Sequence, residues 1–250
     1  MGKVNQVVLL GADGATWDVA LPMIKEGKLP HLAKLMERGS WGDIRTTLPW
    51  KSPILWTSIA TGKRKEAHGI LDFVVRDQVT HAVVPVSVTS RHVKAIWDIV
   101  SEQGLRTDVV NWYAGWPAEP LNGTMVSYRF LHHELPDRVF PPQRTSEIDG
   151  LVERLEQTGV LRDETMAAQV GLYLLEQDQP QLHLLYLRKI DGMQHLFWKD
   201  HALRRGSLLA RWLYGPADPA QFDEKSRRIE EAYEQFDAVL GRVLKLVGPQ

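Results

Sequence analysis

Residues 4–14, Val4-Asn-Gln-Val-Val-Leu-Leu-Gly-Ala-Asp-Gly14, decide the fold class. The unbroken run of β-branched and aliphatic side chains over residues 7–10 predicts a buried strand over residues 4–10. Gly11-Ala-Asp-Gly14 then ends the strand, and the amphipathic residues 18–25 predict a helix. A buried strand that passes through a short turn into a helix is typical of an α/β protein with a parallel sheet.

The rest of the chain continues this alternation. Proline near a helix start and glycine just past a helix end mark two of the helices. The predicted helices are Pro30–Arg38, Ser52–Thr61, a segment capped by Thr89 or Ser90 and ended by Gly104, residues 166–175, and residues 223–247. The predicted strands are residues 105–112 and Leu182–Leu187, and residues 113–145 are predicted to form long loops. We therefore expect a single α/β domain over residues 1–250.

Composition narrows the class of protein. The chain has 250 residues, of which 44% are hydrophobic and 24% charged, and this is ordinary globular composition that excludes disorder as the main state. The net charge of -1 argues against a nucleic-acid-binding surface. Without cysteine, any metal must be held by His, Asp, Glu or hydroxyl oxygen. No apolar run approaches the roughly 18 residues of a membrane span, which predicts a cytoplasmic protein without membrane association.

The first candidate for chemistry is Asp13, which follows the opening strand. Ligands of open α/β sheets gather at the carboxyl ends of the strands, so a carboxylate there is well placed to bind one. The alternative is that Asp13-Gly14 only forms a turn, since Asp-Gly is a favoured turn dipeptide. The spacing of the glycines does not match the dinucleotide-binding fingerprint.

The second candidate is Ser52, in the run Leu48-Pro-Trp-Lys-Ser-Pro53. Serine is a preferred N-cap and proline a preferred first helical residue, which gives Ser52 a structural explanation. The same position would place its hydroxyl at the positive end of a helix, where phosphate binds well, with Lys51 beside it. The pattern alone leaves both explanations open.

The third candidate is Asp191-Gly-Met-Gln-His195, which follows the predicted strand Leu182–Leu187. A spacing of four places a carboxylate and an imidazole on one face of a helical turn, where they can share a cation. The nearby pair Asp200-His201 lies in a polar, basic stretch and is expected at the solvated surface.

Together these motifs resemble the type I phosphodiesterase/nucleotide pyrophosphatase family of the alkaline phosphatase superfamily, over nearly the whole chain. The resemblance lies in the order and spacing of several short motifs. They are Leu10-Gly-Ala-Asp-Gly14, Leu29-Pro-His-Leu-Ala-Lys-Leu-Met36 with Gly39, Trp56-Thr-Ser-Ile-Ala-Thr-Gly62, His68-Gly-Ile70, Asn111, Pro117, Asn122-Gly123 and Asp191-x-x-x-His195.

The resemblance implies an alkaline-phosphatase-like fold, a largely parallel sheet flanked by helices on both faces. It also implies hydrolysis of phosphodiester or phosphate-ester bonds of a small substrate, with two divalent ions, zinc or alternatively manganese. Asp13 and Ser52 would belong to one ion, with Ser52 as the nucleophile that forms a phosphoserine. Asp191 and His195 would belong to the other ion.

The chain departs from the family pattern in two ways. The family takes further ligands, an Asp-His pair and a late His, from segments after the long helix, and this chain ends before them, so C-terminal strands of the sheet are expected to be missing. Nucleotide pyrophosphatases also have an Asn three residues after the nucleophile, where this chain has Leu55. We therefore expect the 250-residue chain to hydrolyse phosphodiesters poorly or not at all. The alternative is a non-catalytic truncated or degenerate relative that binds an anion or a partner, and a nucleotide-binding module built on residues 11–14 ranks last.

Overall fold

A computed structural model of the protein describes residues 6–77, 79–161, 164–215 and 224–248. The chain divides into two compact units. The first unit comprises Met1–Gly11 and Asp43–Tyr186, and the second comprises Ala12–Gly42 and Leu187–Gln250. Nearly all of the strand residues belong to the first unit, whereas the second unit is built mainly of helices.

The helices and strands alternate along much of the chain. The helices are α1 (Trp17–Lys25), α2 (Pro30–Arg38), α3 (Ser52–Thr61), α4 (Lys65–His68), α5 (Ile96–Glu102), α6 (Thr145–Gln157), α7 (Glu164–Asp178), α8 (Lys189–Arg204), α9 (Leu208–Tyr214) and α10 (Arg228–Val247). The strands are β1 (Val7–Ala12), β2 (Val74–Arg76), β3 (Val83–Pro85), β4 (Thr107–Val110), β5 (Gly123–Val126), β6 (Val139–Phe140) and β7 (Leu182–Leu187).

Five strands form the central sheet in the order β1-β7-β4-β5-β6, and β2 and β3 form a separate antiparallel pair. β4 pairs in parallel with both β5 and β7, whereas β6 is antiparallel to β5. All six residues of β7 are buried, as expected for a parallel strand covered on both faces. The sheet is mixed but mostly parallel, which confirms the predicted fold class.

Helices of the first unit cover both faces of this sheet. On one face, Leu184 and Tyr186 of β7 join a buried cluster with Trp56 of α3 and Trp97 of α5. On the other face, Gly171 of α7 packs so closely that an added Cβ would lie 2.7 Å from Leu185 Cδ1. Alternation of side chains along β7 therefore sends its apolar groups into two separate cores.

The second unit has its own core, built from α1, α2, α8 and α10. α10 contributes an apolar face formed by Ile229, Tyr233, Leu240 and Val243, which are all buried. Asp237, on the same helix, accepts hydrogen bonds from the backbone N–H groups of residues 31 and 32, at 3.1 and 2.7 Å. The side chain of Leu29, the residue before α2, supplies no cap, so Asp237 satisfies donors that the N-terminus of α2 would otherwise leave unpaired.

Several predicted boundaries agree with the structure and others do not. α2, α3 and β7 begin and end where the sequence predicts. β1 is observed over Val7–Ala12 rather than residues 4–10, of which 4 and 5 lie outside the described residues. α5 begins at Ile96 rather than after Ser90, and a short 3₁₀ turn occupies Val88–Ser90 instead.

Two other segments also differ. The loop-rich residues 113–145 contain β5 and β6, two short strands whose order depends on pairing with neighbouring strands. α10 begins at Arg228, whereas the predicted start at residue 223 lies outside the described residues. Across the described part of the chain, no helix is both long enough and apolar enough to cross a bilayer.

Candidate functional site

The turn after β1 brings Asp13 next to the start of α8. The Asp13 N–H donates a hydrogen bond to the Leu187 carbonyl oxygen at 2.9 Å, which ties the turn to the end of β7. Gly14 follows with a φ of +70°, and a Cβ there would lie 2.8 Å from Asp191 Cα. A side chain at position 14 would therefore push the turn away from α8, and glycine permits the close approach.

Asp191 and His195 lie in the first two turns of α8, as the spacing predicts. His195 Nε2 is 3.4 Å from Asp191 Oδ1, and their side chains are 78% and 32% exposed. Gln194 Nε2 donates to the Gly14 carbonyl oxygen at 2.7 Å, which fixes the same turn from the next residue of the helix. The structure thus assembles Asp13, Asp191 and His195 inside the second unit, and we call these three residues the turn cluster.

The electrostatics of the turn cluster favour a bound cation. Burial, and then the negative charge of Asp13, raise the pKa of Asp191 above its ordinary value. His195 and Arg188 act on the Asp191 pKa in the opposite direction. A carboxylate that is held beside another carboxylate is stabilised in its charged form by a nearby cation.

The donor set of the turn cluster is suitable for zinc or manganese. Carboxylate and imidazole groups are accepted by both ions. Among the residues that the structure describes, however, no group of three His, Asp or Glu side chains is arranged to hold one ion. Asp191 and His195 form a two-donor pair, so the residues fit a metal site in chemistry and supply part of its coordination.

Ser52 is the first residue of α3, in the first unit. The expectation that it is the N-cap needs correction, because Lys51 is the N-cap and makes no side-chain capping bond. No described residue forms a hydrogen bond with the Ser52 hydroxyl, which therefore remains available at the helix N-terminus. Lys51 Nζ lies 2.6 Å from Asp72 Oδ2, and this contact lowers the Asp72 pKa. Because Ser52 and Asp13 belong to different units, their sharing of one ion stays a prediction.

Two histidines of the family-like pattern and its surroundings are structural. His68 is fully buried, with Nε2 3.1 Å from Ser58 Oγ and Nδ1 accepting from the Ile70 N–H at 3.2 Å. His201, expected at the surface, is buried as well, because α8 packs its second half against the ion pairs of Glu230. Burial lowers the pKa values of both imidazoles.

A buried polar pair in the first unit was not among the residues predicted from the sequence. Asp108 and His183 are paired residues of β4 and β7, and both are completely buried. Neither Asp108 Oδ2 nor either ring nitrogen of His183 has a hydrogen-bond partner among the described residues. The available signal was an Asp beside Val109 and Val110 in β4 and a His between two leucines in β7, but only the strand register brings Asp108 and His183 together.

Comparison with known proteins gives a family and several structural neighbours. The sequence model of the type I phosphodiesterase/nucleotide pyrophosphatase family matches residues 7–250. No curated protein matches the chain. Phosphonoacetate hydrolase from Sinorhizobium meliloti 1021, solved with phosphonoformate, is similar in structure with a TM-score of 0.65 and 18% identity, over 97% of this chain and 54% of that chain.

A second structure of that hydrolase, with phosphonoacetate, gives a TM-score of 0.59 at 15% identity over 96% of this chain and 54% of that one. An inactive murine ectonucleotide pyrophosphatase/phosphodiesterase 5 with AMP gives 0.55 at 15% identity, over 97% of this chain and 52% of that one. At these identities the neighbours establish the fold. The chain spans about half the length of each of them.

Proposed function

The chain belongs to the type I phosphodiesterase/nucleotide pyrophosphatase family, and from that premise we propose that it is a metal-dependent hydrolase of phosphate esters. The observation that carries the proposal is the turn cluster, in which Gly14 lets Asp13 approach Asp191 despite the repulsion between the two carboxylates. A stability role does not explain this arrangement, because repulsion between like charges opposes folding.

The metal ligands are proposed from the resemblance and from donor chemistry. Asp191 and His195 would hold one divalent ion, and Asp13 and Ser52 the other, with zinc favoured over manganese. When bound, such ions lower the pKa of an attacking hydroxyl and stabilise the negative charge of the transferring phosphoryl group.

Ser52 is proposed as the nucleophile. Its Oγ would form a bond to phosphorus while the ester oxygen leaves and takes up a proton as the alcohol. Water would then break the bond between Ser52 and phosphorus and release the phosphate product. Support comes from the position of Ser52 at the start of α3, where the helix N-terminus favours negative charge.

The experiment is hydrolysis of bis-p-nitrophenyl phosphate with added zinc or manganese, by the unmodified chain and by Ser52→Ala. Loss of the nucleophile is expected to lower turnover on the order of 10³-fold or more. The readout is the ratio of turnover between the two proteins, each measured above the rate without protein.

The matched control is Thr61→Ala at the other end of the same helix, since the Thr61 hydroxyl donates to the Thr57 carbonyl oxygen at 2.7 Å. We expect this control to keep turnover close to that of the unmodified chain. Turnover that exceeds the rate without protein and is equal for the unmodified chain and Ser52→Ala would exclude Ser52 as the nucleophile.

A second candidate function is binding of an anion without turnover. It is favoured by the incomplete donor set, since the described residues bring no three ligands together for one ion. Zinc-dependent binding of methylphosphonate, with no hydrolysis of any phosphate ester under the same conditions, would select this candidate.

A further inference from the structure

A cavity of about 480 Å³ lies at the surface of the second unit, lined by α1, α8 and α9 and open to solvent on one side. Its walls are mostly apolar and include Pro22, Trp198, Ala202, Leu209 and Leu213. Small-molecule sites in proteins have typical volumes of about 300–1,000 Å³ and mostly apolar walls, so this cavity is suitable in size and lining for a ligand.

The basic groups that line the cavity carry little free positive charge. Arg205 is engaged by two carboxylates, since it pairs with Glu26 and its Nε lies 3.0 Å from Glu230 Oε1. Burial lowers the pKa of His201 to about 4, so its imidazole is neutral near pH 7. Asp18 of α1 adds a carboxylate to the lining. Among the described lining residues, no cation is free to bind an anionic group of a ligand, so the cavity favours an uncharged, apolar group.

The turn cluster and the cavity lie along the same face of α8. Asp191, His195, Trp198, Ala202 and Arg205 follow one another at intervals of four and three residues, which places them along one side of the helix. The cavity begins at Trp198, about 4.5 Å along the helix axis from His195 at a rise of 1.5 Å per residue. A group bound beside His195 would therefore have the cavity next to it.

We propose that this cavity binds the alkyl chain or aromatic ring of the alcohol that leaves the phosphate, so that the substrates are phosphate esters of hydrophobic alcohols. This inference rests on the proposed hydrolase function for the identity of the ligand. The cavity itself does not depend on that function, because all of its lining residues belong to the second unit.

α9 offers a matched pair of positions for the test. Leu208 and Leu213 are both exposed, at 80% and 54%, so replacing either one is tolerated by the fold. Leu213 lines the cavity and Leu208 does not. Any effect of general surface hydrophobicity is shared by the two positions, whereas an effect of the cavity belongs to Leu213.

The experiment measures binding of octylphosphonate and of methylphosphonate by calorimetry in the presence of zinc. Octylphosphonate is kept below its critical micelle concentration. Each buried methylene is expected to tighten binding about fourfold, so octylphosphonate should bind at least about tenfold more tightly with only two methylenes buried. Leu213→Asn should remove most of this difference, and Leu208→Asn should retain it.

Equal affinities for the two phosphonates, or no binding of either, would overturn the proposal. Equal losses of the octyl preference in Leu213→Asn and Leu208→Asn would also overturn the proposal. They would indicate that octylphosphonate adsorbs, singly or as an aggregate, to the exposed surface of α9. Binding is read without turnover, so the two proposals fail separately. Hydrolysis without preference for the octyl chain overturns only the cavity assignment, and preference without hydrolysis overturns only the enzymatic function.

Discussion

Two clusters of carboxylates, one in each unit, contain an aspartate whose pKa is raised, yet their surroundings differ. The turn cluster consists of Asp13, Asp191 and His195. The second, which we call the sheet cluster, consists of Asp108, Asp178, His183 and Arg144. In each cluster, burial and then a neighbouring aspartate raise the pKa of one carboxyl group, Asp191 in the first case and Asp108 in the second.

The sheet cluster is largely buried, and Asp178 within it is paired with two arginines. Arg144 donates to Asp178 and also to Glu147 at 2.6 Å, while Arg106 lies 3.1 Å from Asp178. The Thr124 N–H donates to Asp108 Oδ1 at 2.9 Å. The turn cluster instead has a largely exposed imidazole and a partly exposed carboxylate. A raised carboxyl pKa therefore does not by itself identify a functional site, because access for a ligand is also required.

The largest expected effect on stability follows from removing Arg144, which pairs with Asp178 in the sheet cluster. Replacement of Arg144 with alanine leaves the buried Asp178 without its closest cation, and breaking a buried ion pair costs about 3–5 kcal/mol. We therefore expect Arg144→Ala to lower the free energy of unfolding by that amount, measured by urea denaturation. A loss below about 1 kcal/mol would contradict the assignment of Arg144 as the group that neutralises this cluster.

The next effect concerns acid sensitivity. Burial lowers the pKa of His183 to about 4 from 6.5, so the imidazole stays neutral in the folded chain while the unfolded chain takes up a proton below pH 6.5. This group's contribution to stability is therefore present above pH 6.5 and is lost as the pH falls towards 4, by up to about 3 kcal/mol. The raised pKa of Asp108 acts in the opposite direction, since the folded chain holds its proton more tightly.

We expect His183→Leu, which has similar volume and no titrating group, to lose less stability than the unmodified chain between pH 7 and pH 4.5. Urea midpoints at the two pH values measure this difference. His201 remains in both proteins and lowers stability in acid in the same way, so the comparison isolates His183. An identical pH dependence of the two proteins would show that His183 does not titrate in this range.

The turn cluster should respond to mutation in the opposite sense. Asp191→Asn removes a repulsive charge beside Asp13, so we expect the free energy of unfolding to stay the same or to rise by up to about 1 kcal/mol. Zinc affinity, measured by calorimetric titration, should fall ~10-fold or more. Asp200→Asn on the same helix lies outside the cluster and should change neither quantity. Marked destabilisation by Asp191→Asn would indicate a structural role.

The smallest expected effect on stability distinguishes Arg106 from Arg144, the two arginines that pair with Asp178. Arg106 contacts Asp178 as Arg144 does, but its side chain is 46% exposed. Exposed ion pairs contribute about 0–1 kcal/mol, so Arg106→Ala should lower stability by less than about 1 kcal/mol in the same urea assay. Similar losses for Arg106→Ala and Arg144→Ala would mean that burial does not govern the strength of these pairs.

The sequence was sufficient where a local pattern determines the structure. Proline and glycine at the ends of α2 and α3 determine their limits, and the apolar run of β7 determines its own. The proximity of Asp13 and Asp191 also followed from a general rule, since both come after strands and polar groups gather at the carboxyl ends of strands.

The remaining features depend on contacts between residues that are distant in sequence. Asp108 and His183 become neighbours only through the register of β4 and β7. The burial of His201 depends on the packing of α8 beside Glu230 of α10. The strand β6 has two residues and no periodicity of its own, so its pairing with β5 determines its structure.

The cap that Asp237 provides for α2 has a consequence for the order in which parts of the protein fold during synthesis. Asp237 pairs with backbone groups at residues 31 and 32, and the second unit as a whole joins residues 12–42 to residues from 187 onward. A ribosome that adds ~5–20 residues per second needs roughly 7–30 s to pass through the intervening residues 43–186. During that time α1 and α2 have left the ribosome without the helices that complete their core, so the earliest helices of the chain must be among the last to reach their final packing.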